Sequence, residues 1–288
     1  MPRIAYVNGR YLDHRHAAVH VEDRGYQFAD GVYEVINLYR NRLIDEDAHL
    51  DRLDRSLREL QMDWPMSRQA MKVIMRELVR QNRYATGLVY IQVTRGVAPR
   101  DHKFPEDVRS ALVMTVRPML EFPAEMIEDG VKIIVIDDMR WKRPDIKAIA
   151  LLPNVMGKQM AAEEGAFEAW MRDADGFITE GTSSNAWIVT AAGTLITHPE
   201  GQDILRGITR QEIIALADEL GIPFEERKFT ADEASAAREV FMSNSSHFVT
   251  PVTRIGDVTI ANGKPGSLSL ALHERYLQFM ESEPFAVP

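Results

Sequence analysis

The sequence predicts a two-domain protein of the mixed α/β (α+β) class, with mixed sheets in both domains. Its 288 residues exceed a typical single domain of about 150 residues. Strand-like and helix-like segments alternate without the regular βαβ rhythm of a doubly wound sheet. Residues 118–130 combine Pro118 and Pro123 with little periodicity, so we expect an interdomain linker there. It would separate a small N-terminal domain, 1–117, from a larger C-terminal domain, 131–288.

The first domain is predicted to open with a hairpin. Ile4–Val7 and Tyr11–Leu12 flank Asn8-Gly9, a pair typical of a type I′ turn. Val32–Tyr39 is rich in β-branched and aromatic residues and predicts a strand. Asp47–Met62 predicts an amphipathic helix because its leucines recur every three or four residues. The other elements expected are a helix over Ser67–Tyr84, capped by Ser67, and strands over Gly87–Thr94 and Ala111–Val116.

The second domain is expected to interleave short strands with longer helices. The strands are predicted at Val131–Ile136, Gly176–Thr179 and Ala186–Val189, and the helices at Asn154–Gly165, Thr209–Leu220 and Ser267–Met280. Gly165 would end the first of these helices, and Gly221 the second.

Composition disfavours several classes of function. The formal net charge of −9 and the pI near 5.5 disfavour a nucleic-acid binder or a protein that binds anionic membranes. No apolar run approaches the roughly 20 residues of a membrane span, and we expect neither a span nor a targeting segment. The absence of cysteine removes thiol nucleophiles and cysteine-type metal sites and suits the cytoplasm. His14-Arg15-His16 has no acid ligand at a convincing spacing, so no metal site is expected.

Lys147 is the most unusual titratable residue. It lies in the otherwise apolar run 145–152, whereas the other lysines lie in polar segments. Such a lysine either extends its amine to the surface or is held inside for a reason. A buried amine has a lowered pKa and can act as a Schiff-base nucleophile or as a general base.

Four polar segments add to this lysine, and each also has a purely structural interpretation. Phe177–Asn185 carries Glu180 beside a hydroxyl-rich turn. This segment is either a carboxylate fixed at a strand end and braced by the hydroxyls, or an ordinary polar turn. Leu205–Arg210 opens a helix after a glycine, which suits a phosphate or simple capping by Thr209. The other two are the small polar turn Met242–Ser246 and the cationic loop Arg95–His102. Together with the lysine, these segments offer a reactive amine, an acid, hydrogen-bond donors for a phosphate and, in Arg95–His102, cationic side chains for a carboxylate. Pyridoxal 5′-phosphate (PLP) and its substrate need these groups.

At these residues the chain resembles the class IV aminotransferases, the fold-type IV PLP enzymes, over essentially its whole length. Glu180, Asn185 and the segment Leu205–Arg210 carry the pattern, and Trp187 stands where the family often has Phe or Tyr. The likeness is closest to the D-amino-acid aminotransferases, through Phe28–Val35, Val93–Pro105 and Ile146-Lys147 followed by Leu152-Pro153-Asn154.

The resemblance implies roles for individual residues toward the cofactor. Lys147 would bind PLP as a Schiff base and, once released, move the substrate proton. Glu180 would pair with the ring nitrogen and keep it protonated. The remaining cofactor residues implied are Arg52, Ile208, Thr209 and Ser245 at the phosphate and Leu205, Tyr33 and Ser184 around the rest of the cofactor.

The resemblance also implies the substrate and the assembly. Tyr33, Arg100 and His102 would bind the substrate α-carboxylate, the last two from the partner subunit of a homodimer. The implied reaction moves the amino group of a D-amino acid, such as D-alanine, to a 2-oxo acid such as 2-oxoglutarate, in ping-pong order. The alternatives are an (R)-amine or branched-chain amino-acid transaminase, or an enzyme like aminodeoxychorismate lyase. A binding protein without catalysis is the remaining alternative, and it would be colourless.

Overall fold

The chain divides into two compact units in a computed structural model that describes residues 3–119 and 124–286. The first unit comprises Met1–Glu121, Ile146–Ala150 and Ser282–Pro288, and the second comprises Phe122–Asp145 and Leu151–Glu281. Ile146–Ala150, and with it Lys147, therefore groups with the first unit. The predicted boundaries 1–117 and 131–288 stay a prediction, and part of the expected linker 118–130, residues 120–123, lies outside the described residues.

The secondary structure of the first unit contains six strands and three α-helices within the described residues. They are β1 (Ile4–Val7), β2 (Arg10–Asp13), α1 (Arg24–Phe28), β3 (Gly31–Tyr39), β4 (Arg42–Leu43), α2 (Glu46–Glu59), α3 (Arg68–Asn82), β5 (Gly87–Thr94) and β6 (Ala111–Pro118). The strands form one sheet in the order β2-β1-β6-β5-β3-β4, and all of its described pairs are antiparallel.

The core of the first unit lies between this sheet and the apolar faces of α2 and α3. Leu50, Leu53 and Leu57 of α2 are fully buried, as the leucine spacing predicts. Ser67 caps α3, since its side chain accepts a hydrogen bond from the amide of Ala70. The opening hairpin is also confirmed, with positive φ at both turn residues, 45° at Asn8 and 93° at Gly9.

The second unit carries the larger sheet. Its elements are α4 (Ala124–Glu128), β7 (Val131–Asp137), α5 (Leu152–Glu163), β8 (Glu168–Arg172), β9 (Ile178–Gly181), β10 (Asn185–Val189), β11 (Leu195–Thr197), α6 (Ile208–Glu219), β12 (Phe224–Glu226), α7 (Ala231–Ser235), β13 (Glu239–Asn244), β14 (Phe248–Ile255), β15 (Val258–Thr259) and α8 (Ser267–Ser282). The sheet order is β12-β11-β10-β13-β14-β7-β8-β9, and β15 pairs with β14. Its core includes the buried rings of Trp170 and Phe229.

The mixed α/β class with two sheets is confirmed, but only one sheet mixes strand directions. In the second sheet β14 and β8 both run parallel to β7, while β13 runs antiparallel to β10. Two consecutive parallel strands need a long crossover between them, and α5 provides it between β7 and β8. Antiparallel strands need only a tight hairpin turn. The first sheet contains the hairpins β1–β2 and β3–β4, and its described pairs are not mixed. Within the described residues, no helix is both long and apolar enough to cross a membrane.

Candidate functional site

Lys147 lies on an extended segment that runs beside β3 in the first unit. Its carbonyl accepts a hydrogen bond from the amide of Tyr33 at 3.0 Å, and Ala148 forms a bridge with Val32. Ile146 and Ala148 point into the core and are buried, while Lys147 between them is half-buried. The Lys147 Nζ atom lies 4.3 Å from the centre of the Tyr33 ring. The strand-like alternation thus turns the amine away from the core, onto the face that carries Tyr33.

Next to this segment, α2 presents a stripe of buried polar side chains to β3. Arg52 donates to Glu34 through Nε at 2.7 Å and through Nη2 at 2.8 Å, and Glu34 Oε2 lies 2.7 Å from His49 Nδ1. Glu34 has no exposed surface. Burial alone would raise the pKa of Glu34, but Arg52 and His49 outweigh burial and hold it well below its usual value. Ser56, one turn after Arg52, accepts a hydrogen bond from the Lys147 amide at 3.4 Å.

Glu34 and His49 were not predicted as site residues, although the sequence carries a signal for them. His49, Arg52 and Ser56 recur at a spacing of three and four residues, one position before the leucine stripe of α2. A polar stripe adjoining an apolar stripe on one helix indicates side chains that are buried together and need a partner. Burial lowers the pKa of His49, which keeps this ring neutral next to the Glu34–Arg52 pair.

The loop that carries Arg100 and His102 is tied to α1 in the same unit. Both side chains contact Phe28: the Arg100 guanidinium lies 4.5 Å from the ring centre, and the His102 ring 5.4 Å away. Arg24, a buried residue of α1, donates to the carbonyl of Asp101 at 2.6 Å and to Asp30 at 2.8 Å. Arg100 and His102 themselves are exposed. The structure thus groups the Arg100 and His102 side chains at the end of α1, and their role toward substrate stays a proposal.

In the second unit, Glu180 lies buried on β9 inside a dense hydrogen-bond network. Its Oε1 accepts from the Leu205 amide at 3.0 Å and from Arg140 Nη1, and its Oε2 accepts from Asn185 Nδ2 at 3.0 Å. The Asn185 amide also donates to the Leu205 carbonyl at 3.1 Å. Burial raises the pKa of Glu180, and Arg140 opposes that rise. Sequence reasoning missed Arg140, whose loop position after β7 carried no periodic signal.

Three of the predicted phosphate residues lie in this unit. Helix α6 begins at Ile208 with Gly207 as its N-cap residue, and no described side chain caps it. The capping role considered for Thr209 is therefore wrong. The first amides of a helix have no partner inside the helix, so those of Ile208 and Thr209 suit an anion. A Cβ on Gly207 would lie 2.1 Å from Asn185 Oδ1, so this turn tolerates only glycine without a shift. Ser245 is half-buried in the turn after β13.

The hydroxyl-rich turn before Asn185 serves a different carboxylate. Thr182 and Ser183 donate to Glu168, the second at 2.8 Å, and Ser184 lies 3.5 Å from it. Glu168 has no exposed surface and also accepts from the Ala169 amide at 2.9 Å. The expectation that these hydroxyls brace Glu180 is therefore wrong for the described hydrogen bonds, and Ser184 as a cofactor ligand stays a prediction. The turn owes its composition to the need to satisfy a buried acid.

The predicted residues thus form two groups, one in each unit. The first unit holds Lys147, Tyr33 and Arg52, together with Arg100 and His102 on their loop. The second unit connects Glu180 through hydrogen bonds to Leu205, three residues before α6. Among the described residues no cluster of His, Cys, Asp and Glu has the geometry of a metal site. These groups are an amine beside a tyrosine, a buried acid, and a helix end whose first amides suit an anion.

Comparisons with known proteins agree with this chemistry. Residues 31–255 match the family described as class IV aminotransferases. The chain is 44% identical to a D-alanine aminotransferase of Bacillus licheniformis, over 91% of this chain and 92% of that protein. It is 37% identical to a D-alanine aminotransferase of Staphylococcus haemolyticus, over 96% and 98% of the two chains. The fold is similar to that of the branched-chain amino-acid aminotransferase of Escherichia coli, with a TM-score of 0.92, 24% identity and coverage of 97% and 95%.

The family match and the D-alanine aminotransferase relatives show an enzyme of the aminotransferase class. The extent of the match shows the family: the chain belongs to the class IV aminotransferases.

Proposed function

We propose that this chain is a PLP-dependent aminotransferase that transfers the amino group of a D-amino acid, such as D-alanine, to a 2-oxo acid such as 2-oxoglutarate. The observation that carries the proposal is the 44% identity, over 91% of the chain, to a D-alanine aminotransferase. The solved structures with a similar fold are branched-chain aminotransferases, and the first is only 24% identical, a level at which likeness supports the fold alone.

The donor set of the chain fits PLP. The cofactor carries an aldehyde, a basic ring nitrogen and a phosphate, and it needs an amine, an acid and several N–H or O–H donors. Lys147 supplies the amine and Glu180 the acid. For the phosphate we propose the Arg52 guanidinium, the first amides of α6 and the Ser245 hydroxyl. Glu34 engages Nε and Nη2 of Arg52, which keeps the side chain in one orientation for an anion.

In this proposal each residue has a defined task. Bound PLP supplies an electron sink for the carbanion formed at the substrate Cα. Lys147 would hold the cofactor through its amine, and as a free amine it would take the proton from the substrate Cα and return it when the amino group has been transferred. Glu180 accepts the hydrogen bond of the ring N–H. Tyr33, Arg100 and His102 bind the substrate carboxylate and orient Cα toward the amine.

Absorbance spectroscopy tests the proposal directly. We expect the purified protein to be yellow and to bleach when D-alanine is added, with colour restored by 2-oxoglutarate. Lys147→Ala should abolish the response, whereas Lys264→Ala, at an ion pair exposed on both sides, should respond like the wild type. A response to L-valine in place of D-alanine would favour a branched-chain enzyme. Pyruvate release without a 2-oxo acid would favour a lyase.

We further propose a homodimer, supported by an exposed apolar face on α5. Leu152, Val155, Met156 and Met160 recur at helical spacing and are 70%, 61%, 50% and 42% exposed. Apolar side chains contiguous on one helix indicate an interface, and a second copy of this chain is the proposed occupant. Light scattering should give a dimer mass, and Val155→Lys with Met156→Lys should lower it to that of a monomer. Val73→Lys on α3, at a side chain 60% exposed, is the matched control.

The proposed contribution of Arg100 and His102 from the partner subunit has its own test. Lys147→Ala subunits mixed with Arg100→Leu subunits should regain activity, because one site of each hybrid dimer would then carry both native side chains. No gain on mixing, in hybrids shown to have formed, would place Arg100 with the lysine of its own subunit.

The cytoplasm is the proposed location. The chain has no cysteine and so forms no disulfide bond, the feature typical of proteins in oxidising compartments, and this supports the cytoplasm. Fractionation of cells that produce the protein, with detection by antibody, tests it.

A further inference from the structure

Arg140 links two carboxylates in the second unit. Its guanidinium binds Asp138 through Nε at 3.0 Å and through Nη2 at 2.7 Å, and its Nη1 donates to Glu180. The backbone amide of Arg140 also donates to Asp138 at 3.0 Å. The side chain is only 7% exposed. Two separate contacts to Asp138 fix the plane of the guanidinium, so the direction of Nη1 toward Glu180 is fixed as well.

The hydrogen bonds of Glu180 leave room for one more donor. A carboxylate offers about four acceptor positions. Oε1 uses two of them, for Arg140 and for the Leu205 amide, and Oε2 uses one for Asn185. The remaining acceptor position therefore belongs to Oε2. Arg140 and Leu205 hold one oxygen while Asn185 holds the other, so the plane of the carboxylate cannot rotate without losing a hydrogen bond.

We propose that Arg140 is a positioning residue for the reaction: it keeps Glu180 ionised and aims the open acceptor position of Oε2 at the ring N–H of the cofactor. This inference rests on the proposed function, because it requires that Glu180 pairs with the ring nitrogen of PLP. In this inference Arg140 acts through Glu180 and not by contact with substrate or cofactor.

The charge balance explains why an arginine is needed. Asp138 and Glu180 carry two negative charges, and Arg140 is the cation that bonds to both. Burial favours the neutral form of Glu180, Arg140 opposes that effect, and Asp138 adds to it. Burial likewise favours a neutral Arg140, but Glu180 and Asp138 outweigh it and place the pKa of Arg140 above its usual value. Without Arg140, Glu180 would take up a proton, and a neutral acid is a much weaker acceptor for a ring N–H⁺.

A pair of cofactors separates this role from a structural one. PLP has the ring nitrogen, whereas 1-deazapyridoxal 5′-phosphate has a C–H group in its place. The dissociation constants of both are measured with the apoenzyme by calorimetry, and their ratio reports the interaction at the ring nitrogen alone. Wild type should bind PLP more tightly than the deaza compound. Arg140→Met should reduce that ratio roughly 10- to 100-fold, the value of a charge-assisted hydrogen bond.

Control variants complete the design. Arg140→Lys retains the charge and should keep the ratio within about threefold of wild type, whereas Arg140→Gln, with donors but no charge, should lower it like Arg140→Met. Arg172→Met removes an arginine whose ion pair with Asp137 is exposed, and it should leave the ratio unchanged. If Arg140→Met does not fold, Arg140→Gln and Arg140→Lys carry the comparison.

The outcomes distinguish failure of this inference from failure of the proposed function. Equal weakening of both cofactors in Arg140→Met or Arg140→Gln would overturn the inference and make Arg140 a structural residue. A wild-type protein that binds both cofactors equally would instead refute the pairing of Glu180 with the ring nitrogen. Full retention of the ratio in Arg140→Gln would show that charge is not what Arg140 supplies, and would also overturn the inference.

Discussion

Glu34→Gln should destabilise the protein strongly, because Glu34 is the buried carboxylate that neutralises Arg52. Glu34 accepts two hydrogen bonds from Arg52, at 2.7 and 2.8 Å, and it has no exposed surface. Glutamine keeps the shape of the side chain, so no cavity forms and the change is one of charge. The guanidinium of Arg52, only 7% exposed in its side chain, then remains buried beside a neutral amide.

The size of the effect follows from the burial. Removing one partner of a buried ion pair costs about 3–5 kcal/mol, and we expect a value near the lower end because glutamine still accepts one hydrogen bond. The control is Glu77→Gln on α3, whose ion pair with Arg80 is 32% and 65% exposed. Exposed pairs contribute about 0–1 kcal/mol, so this variant should unfold nearly like the wild type.

Chemical denaturation of the apoprotein at pH 7, followed by circular dichroism, gives the free energies of unfolding without a contribution from bound cofactor. The double variant Glu34→Gln with Arg52→Met completes a cycle. Because both charges are then absent, it should lose less stability than the two single variants added together, by about 2 kcal/mol. Strict additivity, or equal losses in Glu34→Gln and Glu77→Gln, would refute the assignment of a coupled buried pair.

The same pair predicts a dependence on pH. The folded-state pKa of Glu34 lies well below its usual value of 4.5, because Arg52 and His49 outweigh the effect of burial. The unfolded state therefore binds the proton first, and the stabilisation is present above pH 4.5 and lost as the pH falls below it. The stability difference between wild type and Glu34→Gln should narrow as the pH falls from 5 toward 3. A difference that stays constant across this range would contradict the lowered pKa.

Three further variants test other contacts. Gly207→Ala should weaken PLP binding about tenfold or more in a cofactor titration, because its Cβ would lie 2.1 Å from Asn185 Oδ1. Gly201→Ala, which meets open space, should bind PLP normally, and equal losses would contradict this reason. Arg24→Met should raise KM for D-alanine about tenfold with a smaller change in kcat, because it removes the hydrogen bond that holds the loop of Arg100 and His102 at Asp101. Unchanged steady-state kinetics would contradict this. Burial lowers the pKa of His273, so stability should fall below pH 6.5, less steeply in His273→Asn, and identical slopes in a denaturation series would refute this.

The sequence predicted best where local interactions decide the structure. The leucine stripe of α2 needs only the helical repeat to be recognised, and the observed helix begins one residue before the predicted start, at Glu46. The hairpin at Asn8-Gly9 likewise depends on two residues that accept positive φ. In both cases the determining residues are close in sequence: successive leucines of the stripe are three or four residues apart, and Asn8 and Gly9 are adjacent.

The hydrogen-bond partners that the sequence did not predict are residues distant from one another along the chain. The hydroxyls of 182–184 suggested a brace for neighbouring Glu180, yet they bind Glu168, about 15 residues earlier, because β8 and β9 pair in the sheet. Glu34 and Arg52 meet only when α2 packs on β3. Arg140 offered no periodicity at all, because its loop is held by hydrogen bonds to specific partners rather than by a repeating apolar face.

The second unit joins two tasks of the proposed site in one hydrogen-bond network. Glu180 accepts from the Leu205 amide while Asn185 donates both to Glu180 and to the Leu205 carbonyl. Leu205 leads into Gly207 and the N-terminus of α6, where the phosphate is proposed to bind. A change that moves Asn185 therefore moves the acid for the ring nitrogen and the turn for the phosphate together. Because the two groups share hydrogen bonds, variants at Asn185 and Gly207 should not be additive in cofactor affinity, whereas variants at Asn185 and an exposed residue such as Arg172 should be.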